Sequence, residues 1–307
     1  MHKGESKPTE RILFVTLSNI GDLVMTTPVL QAINDRFPSS IVDVVADRRS
    51  GALLSACPFL GELIWKKKRA TWREQWQFLK TIRSNNYALA IDLRGPWLAF
   101  LARAEQRGIK RAWRTGMHAV QHHFSALPKS LASLTIPPAK IWLSTESKEK
   151  ANELLKINHS KRVLSMGPGA NWPGKIWPTS YYADLANLVS ARFDELWLFG
   201  GPDDRDLCAQ IADQTKLRSV NLCGRTSLME SAACLAESTA FVGNDSGIGH
   251  MAAALNVPSL TVFGEGEPDR YRPWGSHSEI VLAPNKQLDK LAPTVVAEAL
   301  LTLISSK

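Results

Sequence analysis

The chain has 307 residues, 44% of them hydrophobic and 21% charged, with a formal net charge of +8. That length holds two domains and two sizeable cores, and that composition excludes a largely disordered chain. The cationic excess favours an acidic partner, whether nucleic acid, an anionic membrane surface or a phosphorylated substrate, without choosing among them.

The first strong element is RILFVTL, Arg11 to Leu17, a short apolar run rich in β-formers, as a buried parallel strand requires. SNIGD interrupts it. TTPVLQAINDRFP then carries Val29, Leu30, Ile33 and Phe37 at helical spacing and ends at Pro38. IVDVVA is a second strand, SGALLSACPFLGEL is helical in part, and LIWKKK is a short edge strand. TWREQWQFLKTIRSNNY is an amphipathic helix, followed by the strand ALAIDLRG. Strands alternating with helices predict an α/β fold with a parallel sheet.

The alternation weakens near LTIPPAKIWLSTESKEK, where Pro137 and Pro138 mark a boundary and ESKEKANELLKIN a connecting helix. It then resumes. KRVLSMGPG is a strand and turn, SYYADLANLVSARF a helix, ELWLFGG a strand, DDRDLCAQIADQT a helix and VNLCG a short strand. SLMESAACLAES is a helix with a cap signal from Ser227 to Glu230. TAFVG, the GHMAAAL helix and SLTVFG complete a second unit. LDKLAPTVVAEALLTLI is a last amphipathic helix. Two doubly wound halves are therefore expected, facing a central cleft, with ligands beyond the carboxyl ends of the strands.

Cys57, Cys208, Cys223 and Cys234 lack C-x-x-C spacing, so neither a metal site nor a disulfide framework is expected. They read as buried, reduced thiols of a cytoplasmic protein. No apolar stretch approaches the roughly eighteen residues of a membrane span. The start, MHKGESKPTERILFVTL, has too short an apolar run for a signal peptide. A soluble chain, or one lying on a membrane, is expected.

Three turns follow strands of this kind. In SNIGDLV, Gly21 permits a tight turn and Asp22 sits where a helix begins. Asp22 is either a helix cap or a carboxylate placed to take a proton from a hydroxyl. In GPGANWPGKIWP, Trp172 stands where the third Gly of a dinucleotide fingerprint belongs, which counts against that fingerprint. Lys175 is either a point charge for a phosphate or an ordinary exposed lysine; Trp172 and Trp177 read as packing residues. In GNDSGIGHMAAAL, the helix N-terminus suits a phosphate, and Ser246 and Gly247 allow close backbone approach. Asp245 would repel a phosphate and is better suited to accept from sugar hydroxyls; alternatively Asp245 or Ser246 caps the helix. His250, one turn in, reads as a structural histidine. FGGPDDRDL offers Asp203 and Asp204 for a ribose or a cap. FGEGEPDRYRPWG, after what reads as the last strand, is a polar loop with Glu265, Glu267 and Arg270.

These turns, in this order, resemble the heptosyltransferase family, glycosyltransferase family 9. The similarity covers nearly the whole chain and is most specific in SNIGDLVMTTPVLQAI and GNDSGIGHMAAALNVPSLTVFG, with GPGANWPGKIWP between. It implies a GT-B fold: an acceptor-binding Rossmann-like domain over 1–145, a nucleotide-sugar-binding one over 146–287, and a helix over 288–307 that is a candidate to pack back on the first. It implies inverting transfer of heptose from ADP-heptose, with no metal and no cofactor. By the same resemblance Asp22 is the general base and Lys175 contacts the donor phosphate. Asp245 contacts the donor sugar, and the Ser246 and Gly247 amides cradle the diphosphate. Asp204 aligns with an acid, often Glu, that meets the ribose.

The implied acceptor is the phosphorylated, Kdo-bearing inner core of lipopolysaccharide. Arg94 to His123, basic with interleaved Trp97 and Trp113, is a candidate contact for an anionic glycolipid or the inner face of the cytoplasmic membrane, with Arg94 and Trp97 as acceptor-binding candidates. A solvated basic helix is the alternative. No nucleic-acid motif accompanies the segment, so no nucleic-acid partner is expected. Two other functions remain open from the residues alone: a sugar-nucleotide epimerase on a similar fold, and a non-catalytic nucleotide- or nucleic-acid-binding protein.

Overall fold

The computed structural model describes residues 10–156 and 161–305. Residues 1–9, where the start was read for a signal peptide, lie outside the described residues, as do residues 157 and 158, the end of the expected connecting helix. Contacts divide the chain into two units, Met1–Ser18 with Thr26–Pro137, and Asn19–Met25 with Pro138–Lys307. The chain thus enters the second unit earlier than the expected break at 145/146, and a short early segment belongs to it.

In chain order the first elements are β1 (Arg11–Val15), α1 (Ile20–Val24), α2 (Thr27–Arg36), β2 (Ile41–Ala46), β3 (Leu60–Trp65), α3 (Trp72–Arg83), β4 (Asn86–Asp92), α4 (Trp97–Leu101), β5 (Arg103–Ile109) and α5 (Ala119–Phe124). Helix α1 lies in the second unit. The strands form one sheet in the order β3-β2-β1-β4-β5, every pairing parallel. Ile12 to Val15 are fully buried, as a central strand covered on both faces must be. Helix α3 begins with a capping box: Glu74 N donates to Thr71 Oγ1 at 3.3 Å and Thr71 N to Glu74 Oε2 at 2.8 Å. Phe78, Leu79 and Ile82 of that helix then face the core with Leu98 and Ala99 of α4.

The basic stretch from Arg94 is not one solvated helix. It is α4, β5, a loop and α5. Strand β5 escapes the periodicity because it lies at the sheet edge, where RAEQRGI has to bury only one side.

The second unit continues with α6 (Thr145–Leu155), β6 (Val163–Gly167), α7 (Thr179–Leu188), β7 (Glu195–Leu198), α8 (Arg205–Gln214), β8 (Arg218–Asn221), α9 (Leu228–Ala236), β9 (Ala240–Asn244), α10 (Gly247–Ala254), β10 (Ser259–Phe263), α11 (Pro268–Tyr271), β11 (Ser278–Leu282) and α12 (Pro293–Ser305). Its parallel sheet runs β11-β10-β9-β6-β7-β8. Numbered from β6, that is the doubly wound order 3-2-1-4-5-6 read backwards. Strand β11 was not expected; the polar loop after β10 is an internal connection. The cap from Ser227 to Glu230 forms as expected.

Helix α12 packs within the second unit: Val296 and Leu300 are fully buried in that core, beside Leu185 of α7 and Val262 of β10. One expectation needs correction. Trp172 is not a buried packing residue; it is 47% exposed, whereas Trp177 is fully buried with Nε1 donating to the Leu291 carbonyl at 2.9 Å. All four cysteines are buried.

In each sheet the order reverses at one point: between β1 and β4, and between β6 and β9. Ligands of open α/β sheets bind beyond the strand ends at such points. The loops after β6 and β9 hold Lys175 and Asp245; the turn after β4 holds Arg94.

Candidate functional site

In the second unit the loops after β6 and β9 meet. Lys175 Nζ lies 2.5 Å from Asp245 Oδ2, with the carboxylate side chain only 8% exposed. Their register is set by Asn244, the last residue of β9 and fully buried. Its Oδ1 accepts from Trp177 N at 3.1 Å and from the Tyr182 hydroxyl at 2.8 Å, and its Nδ2 donates to the Pro168 carbonyl. One amide side chain therefore ties both ends of the Pro168–Trp177 loop to the strand that carries Asp245. The sequence analysis does not single out Asn244; its place at the end of a buried strand is the available signal.

Helix α10 starts immediately after Asp245. Ser246 occupies the cap position, but its side chain makes no cap hydrogen bond. The buried Ser246 Oγ has no hydrogen-bond partner among the described residues. Asp245 is engaged by Lys175. The expectation that either side chain caps the helix is thus not met, because the backbone turn leaves the hydroxyl off the first N–H groups. Those first-turn N–H groups have no partner within the helix, so the turn presents donors and a hydroxyl together.

Helix α1 packs on α10. A Cβ on Gly21 would lie 2.7 Å from His250 Cδ2, and one on Gly247 would lie 2.8 Å from Ile20 Cβ. Both glycines are required for this approach. Gly247 thus has a packing role beyond its amide, and His250 is buried against the backbone of α1. The approach sets Asp22 in the third position of α1, half-buried, where its Oδ2 accepts from Asn19 Nδ2 at 2.9 Å. Asp22 is not the N-cap; Asn19 holds that position.

Asp204 accepts from Gly201 N at 2.8 Å, so the helix-start role is present. Its carboxylate also covers Gly169, where a Cβ would collide with Asp204 Oδ1. Asp203 is exposed beside it. The loop after β10 reaches the same region: a Cβ on Gly266 would lie 3.4 Å from Asp245 Oδ2. Burial pushes the Tyr271 hydroxyl above its ordinary pKa; Arg270 opposes this, while Glu267, Asp22 and Asp245 add to it. Tyr271 therefore feels both acids, a residue the sequence reading did not single out. Arg270 reaches Glu267 at 3.3 Å; Glu265 is exposed.

In the first unit, Asp92 organises the turn after β4. Its carboxylate accepts from the backbone N–H groups of Arg94, Gly95 and Leu98 at 2.9–3.0 Å. Arg94 is half-buried, with Nε donating to the Thr16 carbonyl at 3.2 Å and Nη2 buried without a hydrogen-bond partner among the described residues. Burial, and then the Arg94 charge, hold the Lys66 ammonium below its ordinary pKa, with Asp92 opposing. Trp97 opens α4 and is 75% exposed. Arg94 and Trp97 thus stand on one turn, but one is held within the fold and the other in solvent.

Among the described residues no group of three or more His, Cys, Asp or Glu side chains is arranged to hold a metal ion, and no helix is long and apolar enough to cross a membrane.

A family profile for glycosyltransferase family 9 (heptosyltransferase) matches residues 75–299. Lipooligosaccharide heptosyltransferase 2 of Haemophilus ducreyi is 28% identical over 307 aligned positions, covering 88% of each chain. Two solved structures share the fold. A family 9 glycosyl transferase from Veillonella parvula superposes with a TM-score of 0.85 at 19% identity, over 97% of this chain and 98% of that one. The Escherichia coli ADP-heptose lps heptosyltransferase II superposes with a TM-score of 0.80 at 22% identity, over 96% and 99%. The architecture is that of the GT-B fold, with two Rossmann-like α/β domains.

Proposed function

The chain belongs to glycosyltransferase family 9, and on that premise we propose that it moves a heptose from ADP-heptose to the inner core of lipopolysaccharide, with inversion and without a metal. The observation that carries the site assignment is the meeting of Lys175, Asp245 and the unpartnered Ser246 hydroxyl at the start of α10. This turn offers a diphosphate its free N–H groups and a cation, and offers sugar hydroxyls a carboxylate.

The reaction follows from these groups. An acceptor hydroxyl oxygen attacks the anomeric carbon from the face opposite the nucleotide, and its proton passes to Asp22. The bond from that carbon to the diphosphate oxygen breaks, and the electron pair leaves with ADP. Positive charge builds on the sugar as in other glycosyl transfers. Negative charge builds on the diphosphate, where Lys175 and the Ser246 and Gly247 amides stabilise it. Donor binding exchanges the Lys175–Asp245 pair for two contacts to the ligand, so neither charge is left bare. Asp204 lies at the start of α8, after β7, where a ribose hydroxyl can share its remaining lone pairs. Arg94, with an unpartnered Nη2, meets an anionic group of the acceptor, and Trp97 offers a ring beside it. The acceptor is a lipid-anchored glycan, which puts the protein at the inner face of the cytoplasmic membrane.

Calorimetric titration of ADP, UDP, GDP and CDP in EDTA tests the donor assignment. Selective ADP binding that is lost in a folded Ser246→Trp variant supports it. Selective binding of another nucleotide replaces the donor, and turnover of donor without acceptor favours an epimerase. Asp22→Asn is expected to keep ADP binding and abolish transfer; retained transfer removes the proposed base.

A further inference from the structure

The first unit holds a concentration of exposed aromatic surface. Among its described residues, the exposed large hydrophobic side chains lie on α3 and α4: Trp72 (73% exposed), Trp76 (61%), Trp97, Phe100 and Leu101. The two helices are neighbours. They share the core through Ile82 and Leu98, and Arg83 Nη1 donates to the Leu101 carbonyl at 3.0 Å. A cavity of about 740 Å³ opens between them and the chain leading into α3, bounded by Lys66, Lys68, Phe78, Leu98 and Leu101.

The outward face of α3 has a defined composition. At about 100° per residue, with Trp72 at zero, Arg83 falls near 20°, Trp76 near 40°, Lys80 near 80° and Arg73 near 100°. Phe78 and Ile82 fall on the other side, near 240° and 280°, which is the face that packs. Two tryptophans and three cations therefore share one stripe. The cations fold over the rings: Arg73 lies 5.5 Å from the Trp72 ring and Lys80 5.6 Å from Trp76. Lys66, Lys67, Lys68 and Arg69 precede the helix. The acid in this stretch, Glu74, is already engaged by Lys67 at 2.6 Å and by the Thr71 cap.

We propose that the outward faces of α3 and α4 form a docking surface for an anionic bilayer. Tryptophan favours the membrane–water interface, where its ring is half in hydrocarbon and its N–H is wet. Flanking lysines and arginines are attracted to anionic headgroups while their stems lie along apolar surface. A protein partner fits less well, since lysine is depleted from the cores of protein interfaces, and here lysine frames the aromatics. This surface rests on the proposed glycosyl transfer for its purpose, access to a lipid-anchored acceptor, but its chemistry needs neither donor nor acceptor.

The test therefore uses the full chain and vesicles alone. Co-sedimentation is measured with phosphatidylcholine vesicles and with vesicles containing about 30% phosphatidylglycerol, at about 0.1 M and 0.5 M salt. Binding is expected on the anionic vesicles only, weakened at high salt, and reduced at least about tenfold in Trp72→Ser/Trp76→Ser and in Arg73→Glu/Lys80→Glu. Both variants change exposed side chains, and an unchanged melting temperature and ADP affinity verify that they fold. No vesicle binding by the wild type, equal binding to neutral vesicles, or undiminished binding by both variants overturns the proposal. A lipid-free dimer that Trp72→Ser/Trp76→Ser dissociates, without vesicle binding, assigns the stripe to self-association and also overturns it. The nucleotide titration above is independent, so failure of the docking surface leaves the transfer reading standing, and the reverse holds too.

Discussion

Lys175 and Asp245, seventy positions apart in the chain, form an ion pair at 2.5 Å at the start of α10. The pair has two consequences. It lets an acid sit in the turn proposed to bind an anion, because its charge is already compensated. It also couples stability to function, since removing Lys175 leaves an 8%-exposed carboxylate without its cation. Lys175→Met is expected to lower both the melting temperature and kcat/KM, the latter by about 10²–10³-fold. Lys175→Met/Asp245→Asn is expected to regain the stability but not the activity. Thermal denaturation and steady-state kinetics on the two variants separate the effects; recovered activity in the double variant rules out a role for the lysine in turnover.

Asn244 is predicted to be a positioning residue. Asn244→Leu leaves Trp177 N, the Tyr182 hydroxyl and the Pro168 carbonyl without their buried partner. A loss of about 2–4 kcal/mol follows from that many unsatisfied groups. Asn244→Asp keeps the acceptor for Trp177 and Tyr182 but not the donor to Pro168, so it is expected to lose less. Denaturant unfolding orders the three proteins; equal stability of Asn244→Leu and wild type refutes the clamp.

The architecture was legible because central parallel strands are buried on both faces. RILFV and TAFVG announce themselves as apolar runs, and the sheet order then points to the turns that follow them. Edge elements were not legible: RAEQRGI of β5 and SEIVL of β11 bury little and carry no such signature. At the candidate site the residue types were readable, but their pairing was not. No spacing rule links Lys175 to Asp245, or His250 to Gly21, since each contact is made by tertiary packing. The free Ser246 hydroxyl was hidden for the same reason: a Ser before a helix reads as a cap, and only the turn geometry shows that it is not one.

Asp194 gives a prediction on acid stability. Its carboxylate accepts from the Arg162 guanidinium and backbone N–H, which together hold its pKa down to about 2 from an ordinary 3.8. A folded value below the unfolded one means stabilisation that is complete above the unfolded value and lost as pH falls through the folded one. The melting-temperature difference between wild type and Asp194→Asn is therefore expected to be constant above about pH 5 and to shrink toward zero between about pH 4 and 2. A difference that grows on acidification contradicts the assignment.

The packing of α1 on α10 predicts how turnover depends on groups remote from the reacting atoms. Gly21 has no room for a methyl group, because His250 Cδ2 would lie 2.7 Å from it. Gly21→Ala must displace either the buried imidazole or α1, and α1 carries Asp22 one residue on. A shift of about 1 Å in a catalytic group costs on the order of 10²-fold in rate. Gly21→Ala is thus expected to lower kcat strongly while ADP affinity, which the proposed site assigns to α10 and Lys175, changes little. His250→Ala empties the space the methyl needs, so Gly21→Ala/His250→Ala is expected to be more active than Gly21→Ala alone. A double-mutant cycle in kcat measures that rescue. Additive losses would mean that His250 does not act on Asp22 through Gly21, and that the imidazole has its own part in the site.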